Sequence, residues 1–358
     1  MINRIRKSFA ASVACPHGGK VRELALWGEL LDFSANINPM GSPHLGKVLA
    51  SEIEHLEHYP DNRYLEFRQA AASFVGLGQE NIVPGNGSSE IIRLFAETTL
   101  DYGEVAVVLS PTFGEYESQS RLFGANVRKA EIDLSQGADL EKLDIEGAKS
   151  LYVCNPNNPT GQLFSCDQVE DLARRCERQE TFLLVDEAFI ELSDPDQSVA
   201  FLAPKMNYLV VMRSLTKSFG IPGLRLGFGV TNQRLAEVMN KARIPWSISS
   251  IASAAGAYLL NHAEYLEESR ALIKAEISWL NGELRSLGLK PLESKVNFIL
   301  LCLDQAGIES DELAERMLGE KILIRDCQSF GLGKRYMRIA VRTRDENERL
   351  ISALKRVL

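Results

Sequence analysis

Short apolar runs alternate with amphipathic stretches along most of the chain after about residue 46. Each run is uninterrupted and is followed by turn-forming residues, which is typical of a strand that is buried on both faces. Strands separated by helices favour βαβ units and a mostly parallel sheet. The sequence therefore predicts a large α/β domain whose strands include Val105–Leu109, Leu151–Cys154, Phe182–Val185, Leu209–Met212 and Leu226–Val230.

The two ends of the chain show different patterns of apolar and polar residues. Residues 1–45 show no sustained period and predict an irregular arm, with Gly18-Gly19 followed by the loop 34–39. After about residue 245 a long helical stretch over 251–287 comes first, and a closing helix ends the chain. Between them lie the strand-like runs Val296–Leu301, Ile322–Ile324 and Met337–Val341. We therefore predict three parts: an arm (1–45) that packs with the small domain, a large domain (46–245) and a small α+β domain (246–358).

Composition narrows the class of protein. Hydrophobic residues make up 45% and charged residues 25% of the 358 residues, as in globular proteins. The net charge of −8 argues against a nucleic-acid partner, which requires a basic face, but not against a small anionic ligand. No apolar run approaches the ~18 residues of a membrane span, and the stretch 9–14 is shorter than the ~7 residues of a signal-peptide core. Because the six cysteines show no CxxC spacing and join no histidine cluster, we expect a reduced, cytoplasmic protein without a metal site.

Polar residues collect where the predicted strands end. Asp186 directly follows one strand, the segment 155–161 (NPNNPTG) follows a second, and the segment 214–227 (SLTKSFGIPGLRLG) follows a third. Taken singly, Asp186 could be a helix cap and the Asn-Pro repeats could be a turn. In open parallel sheets, however, ligands bind beyond the carboxyl ends of the strands. Three such segments in this order favour a binding site there.

Five segments together resemble a known enzyme family. They are GNGSSE (85–90), SPTFGEY (110–116), NPNNPTG (155–161), DEAF (186–189) and SLTKSFGIPGLRLG (214–227). This set resembles the fold-type I aminotransferases of class I and II, nearest to the histidinol-phosphate aminotransferase branch. The resemblance implies a pyridoxal-5'-phosphate (PLP) enzyme with a large domain built on a mostly parallel sheet and a small α+β C-terminal domain.

Further segments resemble the threonine-phosphate decarboxylases of the same family. They are His17-Gly18-Gly19, LDFSANINPMG (31–41), HYPDNRY (58–64), RIPWSIS (243–249), ILIRDC (322–327) and RIAVRT (338–343). This resemblance implies decarboxylation of L-threonine O-3-phosphate to (R)-1-amino-2-propanol O-2-phosphate, used for the cobalamin nucleotide loop. It also implies that the protein is a homodimer. The ligand would be a small phosphorylated amino acid, and neither a nucleic acid nor a membrane is expected as a partner.

The resemblance assigns the cofactor-binding residues. Lys217 would hold PLP as a Schiff base, because a lysine with a lowered pKa is a good nucleophile. Asp186 would face the ring nitrogen, where a carboxylate favours the protonated ring. The phosphate would lie at a helix start before the helical run 90–100, where backbone N–H groups bind anions well. The remaining expected contacts are Gly87, Ser88, Ser89, Ser214, Thr216 and Arg225 for the phosphate, Phe113 for ring stacking, Asn158 for the phenolic oxygen, and Tyr64 from the neighbouring subunit.

The substrate side requires one site for a carboxylate and one for a phosphate. Arg338 resembles the family arginine that binds the α-carboxylate, and Arg325 and His17 resemble phosphate ligands, with Asn38 and Asn158 as further substrate contacts. Planar guanidinium groups suit both anions because they bind them with two parallel hydrogen bonds.

One residue departs from the aminotransferase pattern. Histidinol-phosphate aminotransferases usually carry a tyrosine after DEA, whereas this chain has Phe189, which cannot act as acid or base and is expected to pack. Three alternatives stay open: a histidinol-phosphate aminotransferase, a decarboxylase of L-serine O-phosphate, and a non-catalytic protein of the same fold. The last predicts loss of the key lysine, aspartate or arginine, and all three are present.

Overall fold

Strands and helices alternate along most of the chain in the computed structural model, which describes residues 4–16, 18, 19, 21, 24 and 30–358. The strands are β1 (Leu31–Asp32), β2 (Ile82–Gly85), β3 (Val105–Ser110), β4 (Asn126–Glu131), β5 (Ser150–Cys154), β6 (Phe182–Asp186), β7 (Leu209–Ser214), β8 (Gly227–Val230), β9 (Lys290–Pro291), β10 (Phe298–Cys302), β11 (Ile322–Leu323), β12 (Arg325–Asp326) and β13 (Tyr336–Ala340). The α-helices are α1 (Lys7–Ala11), α2 (Gly46–Ile53), α3 (Leu65–Val75), α4 (Ser88–Thr99), α5 (Glu115–Leu122), α6 (Cys166–Arg178), α7 (Leu215–Ser218), α8 (Gln233–Ala242), α9 (Ser250–Leu260), α10 (Tyr265–Ser286), α11 (Ser310–Gly319) and α12 (Arg344–Val357).

A seven-stranded sheet in the order β2-β8-β7-β6-β5-β3-β4 forms the centre of the larger half. Strands β3 to β7 are mutually parallel, whereas β8 runs antiparallel to both of its neighbours. The predicted α/β fold with a mostly parallel sheet is therefore confirmed. Two outer strands, β2 and β4, and the direction of β8 were not predicted.

Each central strand is apolar throughout because its residues enter two different cores. In β5, Leu151 and Val153 pack into the core on one face of the sheet, and Tyr152 and Cys154 pack into the core on the other. Both cores are covered by helices, α3, α6 and α9 on one side and α4 and α8 on the other. This double burial explains the uninterrupted apolar runs in the sequence.

A second sheet, in the order β12-β13-β10-β9, forms the C-terminal half with α11 and α12. Strand β1 from the N-terminal arm pairs in parallel with β11, and Phe33 lies fully buried in the C-terminal core. The arm thus contacts the C-terminal half, while the boundaries 1–45, 46–245 and 246–358 stay a prediction.

The long helical stretch predicted over 251–287 is two helices, α9 and α10, separated by residues 261–264. The break lets α9 pack against α2 and α3, while α10 runs on into the C-terminal half. Along α10, Leu266 and Ile273 join the core of the larger half, and Leu280 and Leu284 join the C-terminal core. Helix α10 therefore connects the two halves. The predicted irregular arm also contains the short helix α1.

Within the described residues, no helix combines the length and the apolar character needed to cross a membrane.

Candidate active site

A cavity of about 670 Å³ opens at the carboxyl ends of the central parallel strands. Register places Cys154 beside Asp186 and Asp186 beside Met212, so β5 and β6 end at the same level, and β7 ends two residues further on, at the same edge of the sheet. The C-terminal sheet and the arm supply the opposite wall. The cavity brings together most of the predicted site residues: Ser88, Ser89, Phe113, Asn158, Asp186, Ser214, Thr216, Lys217, Arg225, Arg325 and Arg338.

Lys217 lies on α7, a single helical turn directly after β7, and lines the cavity. Burial, together with the positive charges of Arg338 and Arg225, lowers its pKa to about 8 against the opposing effect of Asp32 and Asp186. A substantial fraction of this amine is therefore neutral near pH 8. A neutral amine at the wall of a cavity is a competent nucleophile and proton acceptor.

Asp186 ends β6 with its carboxylate almost fully buried. Burial raises its pKa to about 6, while the Tyr116 hydroxyl and the backbone N–H of Ala188 act in the opposite direction. Tyr116 donates to Oδ2 at 2.5 Å, and Ala188 N–H donates to Oδ1 at 2.9 Å. These two bonds hold the carboxylate in one orientation. The ring of Tyr116 is itself stacked on Tyr152 at 5.4 Å between centroids.

The start of α4 forms a cradle for an anion. Gly87 precedes the helix with φ of +74°, and no side-chain oxygen caps the first turn. A Cβ at Gly87 would lie 2.6 Å from Nη2 of Arg225, so any other residue would displace the guanidinium from its position, in a backbone conformation that favours glycine. Ser88 and Ser89 line the cavity from the first turn of this twelve-residue helix. Because the first N–H groups of a helix lack intrahelical partners, N–H groups of this turn are available to a ligand.

Arg338 on β13 is buried and directed at the cavity. Its Nη1 donates to Oδ1 of Asn158, and its Nη2 donates to the carbonyl of Ser34 at 2.6 Å. Among the described residues no carboxylate pairs with it, and its Nε has no hydrogen-bond partner. Burial lowers its pKa to about 10. A buried cation without an acidic partner provides a site for an anion.

Arg325 on β12 lies directly opposite Arg338 in the antiparallel pair β12–β13. Its Nη2 donates to the carbonyl of Pro16 at 3.1 Å and to Ser329 Oγ at 2.8 Å, so it reaches the arm. Directly opposed residues of an antiparallel pair share one face, and opposed like charges are destabilising. The predicted ligand His17 lies outside the described residues, so its role stays a prediction.

The arm contributes Asn36 to the cavity in place of the predicted Asn38. Asn38 is not part of the lining, because its amide donates to the carbonyl of Ser218 at 2.8 Å and to Ser269 Oγ at 2.9 Å. Asn36 does line the cavity, and its Oδ1 is buried with no partner among the described residues. Both asparagines stand in the same NIN triplet, and only the fold separates their environments.

Tyr64 is also placed away from the cavity. Its side chain is 2% exposed, and its hydroxyl contacts the backbone of Ile248 as donor at 3.2 Å and as acceptor at 3.1 Å. The hydroxyl is thus used within its own chain, and the expected contact of Tyr64 with a neighbouring subunit's cofactor stays a prediction. The other tyrosine of the same motif, Tyr59, is 81% exposed and stacks on Trp246 at 4.7 Å.

Phe113 and Phe189 line the cavity as well. Phe113 meets Tyr116 edge-on at 5.8 Å between centroids. Phe189 is buried against Phe298 at 5.2 Å and so has a packing contact within the protein. The stacking role of Phe113 toward a cofactor ring stays a prediction.

Sequence reasoning missed two residues of this site, Tyr116 and Asn36. Tyr116 belongs to the SPTFGEY segment and follows Phe113 by three residues, in the first turn of α5. That spacing was the available signal. For Asn36 the sequence offers no signal, since its triplet contains two asparagines.

The chemistry of the cavity fits PLP. An amine with a lowered pKa, a buried carboxylate and an anion cradle that a Cβ would fill are the three groups that this cofactor requires. The volume of about 670 Å³ lies within the range of small-molecule sites and leaves space for a substrate beside the cofactor.

Comparison with known proteins identifies the family. The model of aminotransferase class I and II matches residues 28–354. A threonine-phosphate decarboxylase of Salmonella typhimurium is 34% identical over 356 residues, which is 96% of each chain. Among solved structures, the histidinol-phosphate aminotransferase of Clostridium acetobutylicum is 32% identical with a TM-score of 0.84, covering 92% of this chain and 99% of the other. The L-threonine-O-3-phosphate decarboxylase of Porphyromonas gingivalis is 25% identical with a TM-score of 0.83, covering 91% and 99%. The chain therefore belongs to the class I and II aminotransferase family, and its cofactor is PLP.

Proposed function

We propose that this enzyme decarboxylates L-threonine O-3-phosphate to (R)-1-amino-2-propanol O-2-phosphate. The observation that carries the proposal is the pair of directly opposed arginines, Arg325 and Arg338, on the wall of the cavity that contains Lys217. Two like charges on one face favour a ligand that brings two anionic groups, and threonine phosphate carries a carboxylate and a phosphate a few bonds apart. The relatives named as threonine-phosphate decarboxylases support this substrate.

Each residue has a part in binding or in proton transfer. PLP, when bound, supplies a sink for the electron pair released at the substrate α-carbon. Asp186, held by Tyr116 and Ala188 N–H, stabilises the protonated ring nitrogen. Gly87, with the serines that follow it, and Arg225 bind the cofactor phosphate.

The position of the substrate decides which bond breaks. Arg338 and the free amide donor of Asn158 bind the carboxylate, while Arg325 binds the phosphate. With its carboxylate and its phosphate both bound, the substrate could not rotate about the α-carbon. The C–COO⁻ bond would then be held perpendicular to the cofactor ring. The carboxylate leaves as CO₂, and Lys217, whose pKa of about 8 allows it to carry a proton at neutral pH, returns one proton to the α-carbon.

We further infer that the enzyme is a homodimer. The chain exposes the stacked pair Tyr59–Trp246 and, close to these residues in the sequence, the large apolar side chains of Ile53, Leu56 and Ile244. Exposed apolar clusters of this kind are typical of protein–protein interfaces. Tyr59, with its exposed hydroxyl, is an alternative to Tyr64 as the residue that would reach the partner's site. Light scattering of the wild type and of Trp246→Glu measures this association.

A second candidate is transamination of histidinol phosphate. The Clostridium acetobutylicum relative with that name is 32% identical, comparable with the decarboxylases. The missing phenol at Phe189 argues against it. L-Serine O-phosphate differs from the proposed substrate by one methyl, which is worth only ~1–3 kcal/mol of discrimination, so some turnover of it is expected.

Product analysis separates these candidates. The PLP-loaded enzyme is mixed with L-threonine O-3-phosphate without any keto acid, and CO₂ and aminopropanol phosphate are measured over many turnovers. Continuous release of both supports the proposal. Absence of CO₂, together with turnover of histidinol phosphate once 2-oxoglutarate is added, would assign the enzyme to the aminotransferases.

A further inference from the structure

We propose that Asn38 is a positioning residue for Lys217, through which the N-terminal arm and helix α10 jointly fix the turn that carries the reactive lysine. The inference rests on the proposed role of Lys217 and concerns a residue that sequence reasoning had placed at the substrate.

Helix α7 has only four residues and satisfies few of its own backbone groups. Within the turn, Phe219 N–H donates to the carbonyl of Leu215 at 3.1 Å. The carbonyls of Lys217 and Ser218 come too late in the turn for an intrahelical donor, and the last carbonyls of a helix always require outside partners. Because Ser218 is buried, water cannot substitute freely for those partners.

Asn38 supplies donors to both carbonyls. Its backbone N–H donates to the carbonyl of Lys217 at 3.1 Å, and its Nδ2 donates to the carbonyl of Ser218 at 2.8 Å. The other hydrogen of Nδ2 is directed to Ser269 Oγ at 2.9 Å, and Oδ1 accepts from Met40 N–H at 3.0 Å. The amide is thus fully used and 3% exposed, which leaves no group for a substrate.

Helix α10 closes the same arrangement from the other side. The Tyr265 hydroxyl donates to the carbonyl of Ser218 at 3.0 Å, so this one oxygen accepts from the arm and from α10. The arm also packs closely on the segment after the lysine, because a Cβ on Gly220 would lie 2.6 Å from the carbonyl carbon of Gly41. The position of α7 therefore depends on both the arm and α10.

This arrangement predicts a defect in turnover without a defect in substrate binding. If Asn38 positions Lys217, its loss moves Nζ relative to the reacting carbon, and small displacements of a catalytic group cost up to about a hundredfold in rate. The carboxylate and phosphate sites are built from other residues and stay intact. A residue that bound substrate would show the opposite division between kcat and KM.

The test compares Asn38→Ala, Tyr265→Phe and the control Asn126→Ala in the PLP-loaded enzyme. Asn126 donates its side-chain amide to the carbonyl of Gly103 at 2.9 Å on the exposed strand β4, so the control removes the same kind of bond away from the cavity. We measure kcat and KM for L-threonine O-3-phosphate, and hydrogen exchange of peptides that cover 214–220. The second measurement does not depend on activity.

We expect Asn38→Ala to lower kcat about tenfold with KM changed less than about twofold, and to speed exchange over 214–220 about tenfold, as loss of one buried hydrogen bond implies. Tyr265→Phe, which keeps its ring packing on Phe219, speeds exchange of the same peptides and decides the question if Asn38→Ala fails to fold. Unchanged exchange in both variants, or a tenfold rise in KM at constant kcat for Asn38→Ala, overturns the inference. Loss of the proposed function itself shows separately, as undiminished turnover by Lys217→Ala.

Discussion

Replacement of Asp186 by asparagine is expected to stabilise the cofactor-free chain at alkaline pH while it abolishes activity. The carboxyl group has a pKa of about 6 in the folded protein, against 3.8 when exposed. Between these values the folded state binds more protons than the unfolded state, so the free energy of unfolding falls as pH rises through that window. Asparagine keeps both hydrogen bonds, since its Oδ1 can accept from Ala188 N–H and its Nδ2 can donate to the Tyr116 oxygen.

The size of the effect follows from the pKa difference. A difference of about 2 corresponds to about 3 kcal/mol, at 1.36 kcal/mol for each pKa unit. Unfolding entropy of roughly 2.1 cal/mol/K per residue gives about 0.75 kcal/mol/K for a chain of this length, so the melting temperature should rise by about 4 °C at pH 8. At pH 4 or below, where the wild-type carboxyl is also largely neutral, the gain should vanish.

Calorimetry of the cofactor-free wild type, Asp186→Asn and Asp171→Asn from pH 4 to pH 8 measures this difference. Asp171 is exposed on α6, so its substitution controls for loss of one surface charge. A gain in the melting temperature of Asp186→Asn that is equal at pH 4 and pH 8, or a loss of stability at pH 8, would refute the reasoning. It would mean that the buried carboxylate is better solvated than its surroundings indicate.

Three further outcomes follow from the site. Covalent capture of PLP by the cofactor-free chain, followed by stopped-flow absorbance, should accelerate with pH, reach half of its maximal rate near pH 8 and level off above about pH 9, because neutral Lys217 is the nucleophile; a rate still climbing near pH 10 contradicts the lowered pKa. Arg325→Ala should raise KM for threonine phosphate by roughly 10- to 100-fold with little effect on unphosphorylated L-threonine, whereas Arg338→Ala should weaken both, as loss of charged hydrogen bonds implies. Equal effects of Arg325→Ala on the two substrates would argue against a phosphate site. Gly87→Ala should weaken PLP binding roughly tenfold in equilibrium titration, because its Cβ would displace the guanidinium of Arg225, and unchanged affinity would argue against the cradle.

Much of the fold and the reactive half of the site could be predicted from the sequence. The strands that are buried on both faces can be recognised as uninterrupted apolar runs. Asp186 directly follows one of these runs, and Lys217 lies in the segment that follows another. Strand β4 was missed because it is an edge strand with the polar sequence NVRKAE, and β2 was missed because it contains Pro84 and Gly85. The direction of β8 depends on pairing across the sheet, which no local pattern encodes.

The substrate half was less accessible to sequence reasoning. Asn36 and Asn38 are only two residues apart in the sequence. Asn36 lines the cavity, whereas Asn38 donates to the turn that carries Lys217. Tyr59 and Tyr64 present the same difficulty, since one is exposed and the other buried. In each pair the residue types are identical, and only tertiary packing decides which member is available to a ligand.

The cavity is assembled from two sheets that carry different halves of the chemistry. Asp186 and the turn with Lys217 follow strands of the central sheet, whereas Arg325 and Arg338 lie side by side on the C-terminal sheet. The residues proposed for catalysis and those proposed for substrate recognition can therefore change independently in evolution. Under the proposed function, substitutions confined to β12, β13 and their connecting loop would change the anion that binds while Asp186 and Lys217 stay in place, and relatives of such similar shape do bear the names of different enzymes.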